Sequence, residues 1–218
     1  MDDVGPPHQP ARRLPATARN HPRDAAGRIL PEPWWPADRA APGDLELLRR
    51  FCNSVNRENG ADRFADPAGF DRWLVAEGRA ATGPDRAGLR LIASVRDVFH
   101  ELTTANRDAV GHPAAWRRLR RLAEGITFGV DAGPEGLSLY AEGPTATHRF
   151  VGDLLLICLD ATRNTTWTRL KSCVSCHWTI FDHSKNVSAR WCSMSACGGR
   201  HNARVYRQRK ASQRSPDR

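Results

Sequence analysis

Three observations predict an α+β fold, with a predominantly helical N-terminal domain carrying a small β-hairpin, followed by a small treble-clef-like four-cysteine module. Between residues 44 and 170, apolar residues recur at helical spacing in five segments. Two short segments inside that span alternate apolar and polar residues around a turn. From Lys171 onward, Cys173, Cys176, Cys192 and Cys197 form a C-x2-C pair and a C-x4-C pair separated by fifteen residues.

The elements follow in order. Residues 1–43 hold 9 of the 15 prolines and show no apolar periodicity before Leu45, so a mostly disordered or extended arm is expected. Trp34-Trp35 is expected to dock the end of that arm onto the domain. Asp44 is a good N-cap, and Leu48, Phe51, Cys52 and Val55 then make one buried stripe that Asn59-Gly60 ends. Asp66-Pro67 supplies a cap followed by Pro at the first helical position. Phe70, Trp73 and Leu74 form the inner face of this helix, and Gly78 ends it. Pro84 is placed to open a third helix, whose Leu91, Ile92, Val95, Val98, Phe99 and Leu102 make the strongest stripe in the chain. Pro113 opens a fourth, with Trp116, Leu119 and Leu122 directed inward. Its Arg117, Arg118, Arg120 and Arg121 read as a solvated face rather than a nucleic-acid site.

Ile126, Phe128 and Val130 alternate with Thr127 and Gly129, and Leu137, Leu139 and Ala141 with Ser138 and Tyr140. The connecting D-A-G-P-E-G makes this a β-hairpin. A long helix is predicted from Thr147 to Leu170, with Phe150, Val151, Leu154, Leu155, Cys158 and Ala161 at helical spacing. It runs almost directly into Cys173, which would hold the cysteine module at a fixed angle to the core.

Two close cysteine pairs on a short linker can place four thiolates around one tetrahedral ion, and structural zinc suits that spacing. Trp178, Thr179, Ile180 and Phe181 in the linker are β-prone and suit one strand of a small hairpin. Paired disulfides would suit a secreted protein, and no secretory signal is visible. A redox C-x-x-C would leave the second pair idle. His177, His183 and His201 are alternative ligands, but four cysteines already fill a tetrahedron. A catalytic zinc would need an open position and a base, and Asp182 is the only carboxylate nearby.

The run from Cys173 to Arg200 resembles the CGNR zinc finger. Its marks are F-D-x-S at Phe181 to Ser184, R-W-C-S-M at Arg190 to Met194, and the closing Cys197-Gly198-Gly199-Arg200. One departure is Gly199, where the family motif has Asn. The region before it is similar to the ABATE domain, through Leu48 to Asn56, Asp66 to Gly78 and Leu91 to Asn106. The two resemblances cover residues 30–210. They imply a stress-induced transcription regulator.

At 218 residues the chain can hold a medium domain and a small one, read as an arm (1–43), a helical domain (44–170), a finger with a basic helix (171–210) and a disordered tail (211–218). No stretch approaches a membrane span, and Arg12-Arg13 is not followed by an apolar segment, so a cytoplasmic location is expected. There Cys52 and Cys158 would stay reduced. Residues 163–218 carry 12 Lys/Arg against 2 Asp/Glu, a net +10, whereas residues 1–162 carry 21 against 22. That asymmetry favours a polyanionic partner, with double-stranded DNA as the expectation. A helix beginning near Gly198 would put Arg200, Arg204 and Arg207 on one face, with Arg209 and Lys210 extending the charge. Arg190 and Lys171 beside the cysteines read as local counter-charges. The N-terminal domain would then sense a small-molecule ligand or form a homodimer. The alternative is a zinc-stabilised protein-interaction or RNA-binding module without sequence-specific DNA binding. Phosphate-binding loops, nucleophile elbows and H-E-x-x-H helices are missing from the sequence, so no enzyme is expected. His100, beside the third stripe and next to Glu101, is a weak hint of a site.

Overall fold

Helical spacing dictates where the core forms. The computed structural model describes residues 40–134 and 136–213; Trp34-Trp35 and most of the N-terminal arm lie outside them. The stripes of α1 (Leu45–Cys52), α2 (Pro67–Ala76), α3 (Arg86–Asp108) and α5 (Ala146–Arg163) meet in one cluster, with α4 (Pro113–Leu122) packed on α3. Phe51, Phe64, Phe70, Trp73 and Phe150 interlock at its centre, mostly edge to face, with Phe64 and Phe70 centroids 4.9 Å apart. Such pairs add about 0.5–1.5 kcal/mol each beyond the area they bury. Among the described residues, no helix is long and apolar enough to cross a membrane.

The caps explain most helix starts. Asp66 accepts from the Gly69 amide, Asp85 from Gly88 and Thr145 from His148. Each satisfies one of the amides that a first turn leaves unpaired. Asp85, rather than Pro84, therefore sets the start of α3. Asp44 stands at the N-cap of α1, but its side chain makes no capping bond.

Two helices end earlier than their periodicity predicts. α1 stops at Cys52 instead of running to Asn59. The Ser54 hydroxyl donates to the Phe51 carbonyl, and the Ser54 carbonyl accepts from the Arg63 amide. Val55 then bridges to Asp62, so side chain and loop satisfy groups that a longer helix would have used. α5 stops at Arg163 instead of Leu170, where Thr165 takes a left-handed φ of 64°. A short 3-10 turn at Trp167–Arg169 then drives Trp167 into the core.

Trp116 is 40% exposed, although the sequence reading directs it inward. Ala115 and Leu119, four residues apart, define the inner face of α4, and the larger ring lies beside it against Trp167. Likewise Leu154 is fully buried and Leu155 half-buried, packed on the core edge.

The hairpin pairs β1 (Thr127–Gly133) with β2 (Gly136–Glu142), Val130 opposite Leu139. Its turn is tighter than the six-residue connection suggested, because the strands run on to Gly133 and Gly136. Ala141 lies so close to Gly152 of α5 that any Cβ at 152 would collide with it. A second two-stranded sheet joins β3 (Leu170–Ser172) to β4 (Thr179–Phe181).

Candidate metal centre

The β3–β4 pair lies between two apolar clusters, and strand alternation sorts its side chains between them. Leu170 and Phe181, paired across the sheet, belong to the helical core. Ile180 belongs to a second cluster with Cys173, Cys176, Trp178, Cys192 and Cys197. The strands therefore share one hydrophobic interior with the helices while presenting the cysteines on their other side.

Local bonds fold the turn between the strands. The Cys173 amide donates to the Trp178 carbonyl (2.8 Å), and the His177 amide donates to Cys173 (3.0 Å). His177 takes a φ of 60°, which tightens the knuckle. The loop after β4 is organised by Asp182, which is fully buried. Its carboxylate accepts from the Ser184 amide and hydroxyl, the Ala189 amide and Lys171 Nζ at 2.9 Å. Burial alone would raise the Asp182 pKa, but the bonds from Ser184, Lys171 and Ala189 outweigh it and hold the group at about 2. The Val174 amide then donates to the Arg190 carbonyl (3.0 Å), which returns the chain to the knuckle just ahead of Cys192.

The four thiol sulfurs all lie within 4.8 Å of one another, and all four cysteines are buried. Cys176 and Cys192 are 3.5 Å apart, as are Cys192 and Cys197. A disulfide would need about 2.05 Å. A zinc ion with four sulfurs at about 2.3 Å needs sulfur–sulfur separations of about 3.8 Å, so the spacing suits zinc. The electrostatics agree. Hydrogen bonds from Cys176, Cys192 and Cys197 hold the Cys173 thiol well below its usual range, while Cys176 and Cys192 are pushed up. Four sulfurs this close cannot all ionise unaided, and a divalent cation relieves that conflict. Cys52 and Cys158, by contrast, are separate buried thiols raised to about 12 by desolvation, and so stay protonated.

The fourth cysteine opens the basic helix. A π-helical turn at Met194–Gly198 carries Cys197 straight into α6 (Gly199–Gln213). A Cβ at Gly199 would meet nothing closer than the Met194 carbonyl oxygen at 3.5 Å, so space does not demand glycine there. Arg200, one turn after Cys197, donates from Nη2 to its sulfur at 3.0 Å. That bond raises the Arg200 pKa and makes Arg200 a counter-charge of the cysteine cluster. Lys171 does not fill the counter-charge role the sequence suggested, since its ammonium is taken by Asp182 and the Val187 carbonyl. Arg204, Arg207, Arg209 and Lys210 are exposed. At 100° per residue, Arg204, Arg207 and Lys210 fall within one arc of α6, and Arg209 falls on the opposite side.

A polar joint, which sequence reasoning missed, fastens this module to the helices. Asn53 Nδ2 donates to the Thr179 carbonyl (2.8 Å), and its Oδ1 accepts from the Thr179 amide (2.7 Å). Asn106 donates to the carbonyls of Trp167 (2.9 Å) and Leu170 (3.0 Å). His100 donates from Nε2 to the His177 carbonyl (3.0 Å), with the Ser172 hydroxyl 3.2 Å away. Burial, helped by the Arg57 charge, drops the His100 pKa to about 4 and keeps the ring neutral. His100 thus takes its place as a bridge from α3 to the knuckle. The three histidines considered as ligands make other contacts, and the His177 ring lies 6.0 Å from that of His100. His183 bonds the Ala40 carbonyl, and His201 packs on Trp191.

Two family models match the chain. Residues 45–163 match ABATE, described as a putative stress-induced transcription regulator, and residues 169–210 match the CGNR zinc finger. No curated protein matches it.

Proposed function

The chain belongs to the ABATE family, with a CGNR zinc finger behind that domain, and on that premise we propose that it is a zinc-dependent DNA-binding regulator. In this reading Cys173, Cys176, Cys192 and Cys197 hold one structural zinc. The ion would supply no reaction, only a fixed junction from which α6 emerges. Four thiolates around a divalent ion leave a net charge of −2, which Arg200 partly offsets through its bond to Cys197.

One observation carries the proposal: α6 starts at the cysteine cluster and leaves Arg204, Arg207 and Lys210 exposed on one arc. From 204 to 210 that arc runs about 9 Å, enough to meet two phosphates spaced about 7 Å apart along one strand. Phosphate contacts would position the helix, and a guanidinium reaching a guanine edge would add sequence preference. The N-terminal half senses a small molecule or dimerises, and the protein acts without catalysis.

A second reading, an RNA-binding or protein-interaction module, draws on Tyr206. It is 65% exposed among the same cations, where an aromatic ring can stack on an unpaired base. Binding-site selection from random duplex DNA, using the zinc-loaded full chain, separates the two. Enrichment of a defined duplex sequence supports the regulator. No enrichment, with preference for single-stranded RNA at matched salt, supports the second reading.

A further inference from the structure

The β1–β2 hairpin has two sides, and among the described residues one of them is largely uncovered. Register and alternation place Phe128, Val130, Leu137 and Leu139 together on one side. Ala141, on the same side at the base, is buried against Gly152 of α5. The core-facing side of this sheet therefore runs beside α5, with a groove between them further along the hairpin. On that side Phe128 is 46% exposed, Val130 62%, Leu137 79% and Leu139 47%. Leu159, on the outer side of α5, is also exposed and lines the same groove as Leu137 and Leu139. Within the strands the acidic residues Asp131 and Glu142 alternate to the opposite side with Tyr140. The strand residues of the bare side carry no charge, while Arg79, Asp153, Asp160 and Arg163 line the groove beside Leu137 and Leu139, with Arg79 and Asp153 paired at 2.7 Å.

We infer that this side is a homodimer contact, in which the hairpins of two copies of the chain pack apolar side against apolar side about a two-fold axis. A two-fold contact uses the same patch twice, so the apolar side chains of one copy meet those of the other. The side chains named leave about 500 Å² bare per chain, near the top of the range for patches on monomers. A two-fold axis doubles this to about 1,000 Å², the size at which specific interfaces begin. The hairpin also gains a cover for side chains that are exposed in the single chain. A lone two-stranded ribbon is marginal in water; here α5 packs along β2, and the apolar side chains named stay exposed beside it. The inference deepens the dimerising role given above to the N-terminal half, and it does not require α6 to bind DNA.

Sedimentation velocity on the zinc-loaded full chain tests it, at concentrations up to about 100 µM. The parent should sediment as a dimer. A Val130→Asp, Leu137→Asp variant should sediment as a monomer with unchanged far-UV circular dichroism, since both side chains point mainly to solvent in the single chain. Val130→Ser, Leu137→Ser serves the same purpose should the charged pair fail to fold. A parent that stays monomeric overturns the inference, whether the N-terminal segment of the same chain or another protein covers the face. A dimer that persists in the folded variant overturns it as well. An Arg204→Ala, Arg207→Ala variant is expected to remain dimeric, so a failure of DNA binding stays distinct from a failure of assembly.

Discussion

Replacing Asn53 with alanine should destabilise the whole chain, although Asn53 lies far in sequence from the cysteines. Asn53 is buried at the end of α1, and its amide makes two bonds to the backbone of Thr179, which is itself fully buried. Asn53→Ala removes both bonds and leaves an amide and a carbonyl of β4 without partners in a place water does not reach. A net bond contributes about 0.5–1.5 kcal/mol, and a buried group left unsatisfied costs about 1–3 kcal/mol. These contributions overlap, so we expect a loss of about 2–4 kcal/mol. For a domain of this size, that lowers Tm by about 5–15 °C. Thermal unfolding of the zinc-loaded protein, followed by far-UV circular dichroism, reads the shift. Asn59→Ala is the control, because the Asn59 side chain serves an exposed turn and should change stability by less than about 0.5 kcal/mol. An Asn53→Ala protein as stable as that control would refute the joint. So would a parent that melts in two separate steps, one for the helices and one for the cysteine module.

Leu154→Ala should cost about 2–5 kcal/mol in denaturant unfolding and Leu155→Ala clearly less, because only Leu154 is fully buried; equal costs would contradict the placement of α5. His100 makes stability depend on pH. Its folded pKa, about 4, lies below the ordinary 6.5, so the unfolded chain binds a proton that the folded chain excludes. Stability from this group is therefore fully present above about pH 6.5 and falls as pH drops toward 4, by at most about 1.4 kcal/mol per unit. His100→Gln should flatten the profile across that window, and a profile parallel to the parent's would show that His100 is not the group responsible.

The helices were legible because period and caps agree. Asp66-Pro67 marks the start of α2 in sequence and in structure, and the stripe from Ile92 to Leu102 is buried along α3. The cysteine spacing likewise led to the residues that cluster. The early end of α1 was not legible, because it depends on the loop folding back so that Arg63 and Asp62 meet Ser54 and Val55, and the role of Asn53 was not, because its partner lies 126 residues away. Lys171 could not be assigned from neighbourhood alone, since its partner Asp182 is brought near by the β3–β4 pairing and the loop after it. Arg200 did leave a signal: three residues after Cys197 on a helix, the two must share a face. Reading that spacing would have given Arg200 its bond to the Cys197 sulfur, although it is exposed like Arg204 and Arg207 along α6.

The salt dependence of binding tests most directly the proposal that α6 is the surface that meets DNA. Anisotropy of a labelled duplex, titrated with zinc-loaded protein across a range of salt, gives the slope of log K against log salt. Each phosphate contact contributes about 0.9 to that slope. Replacing Arg204, Arg207 and Lys210 by alanine should weaken binding and make the slope shallower by about 2–3, with far-UV circular dichroism and zinc content unchanged. A variant that keeps the parent's affinity and slope would contradict the central claim.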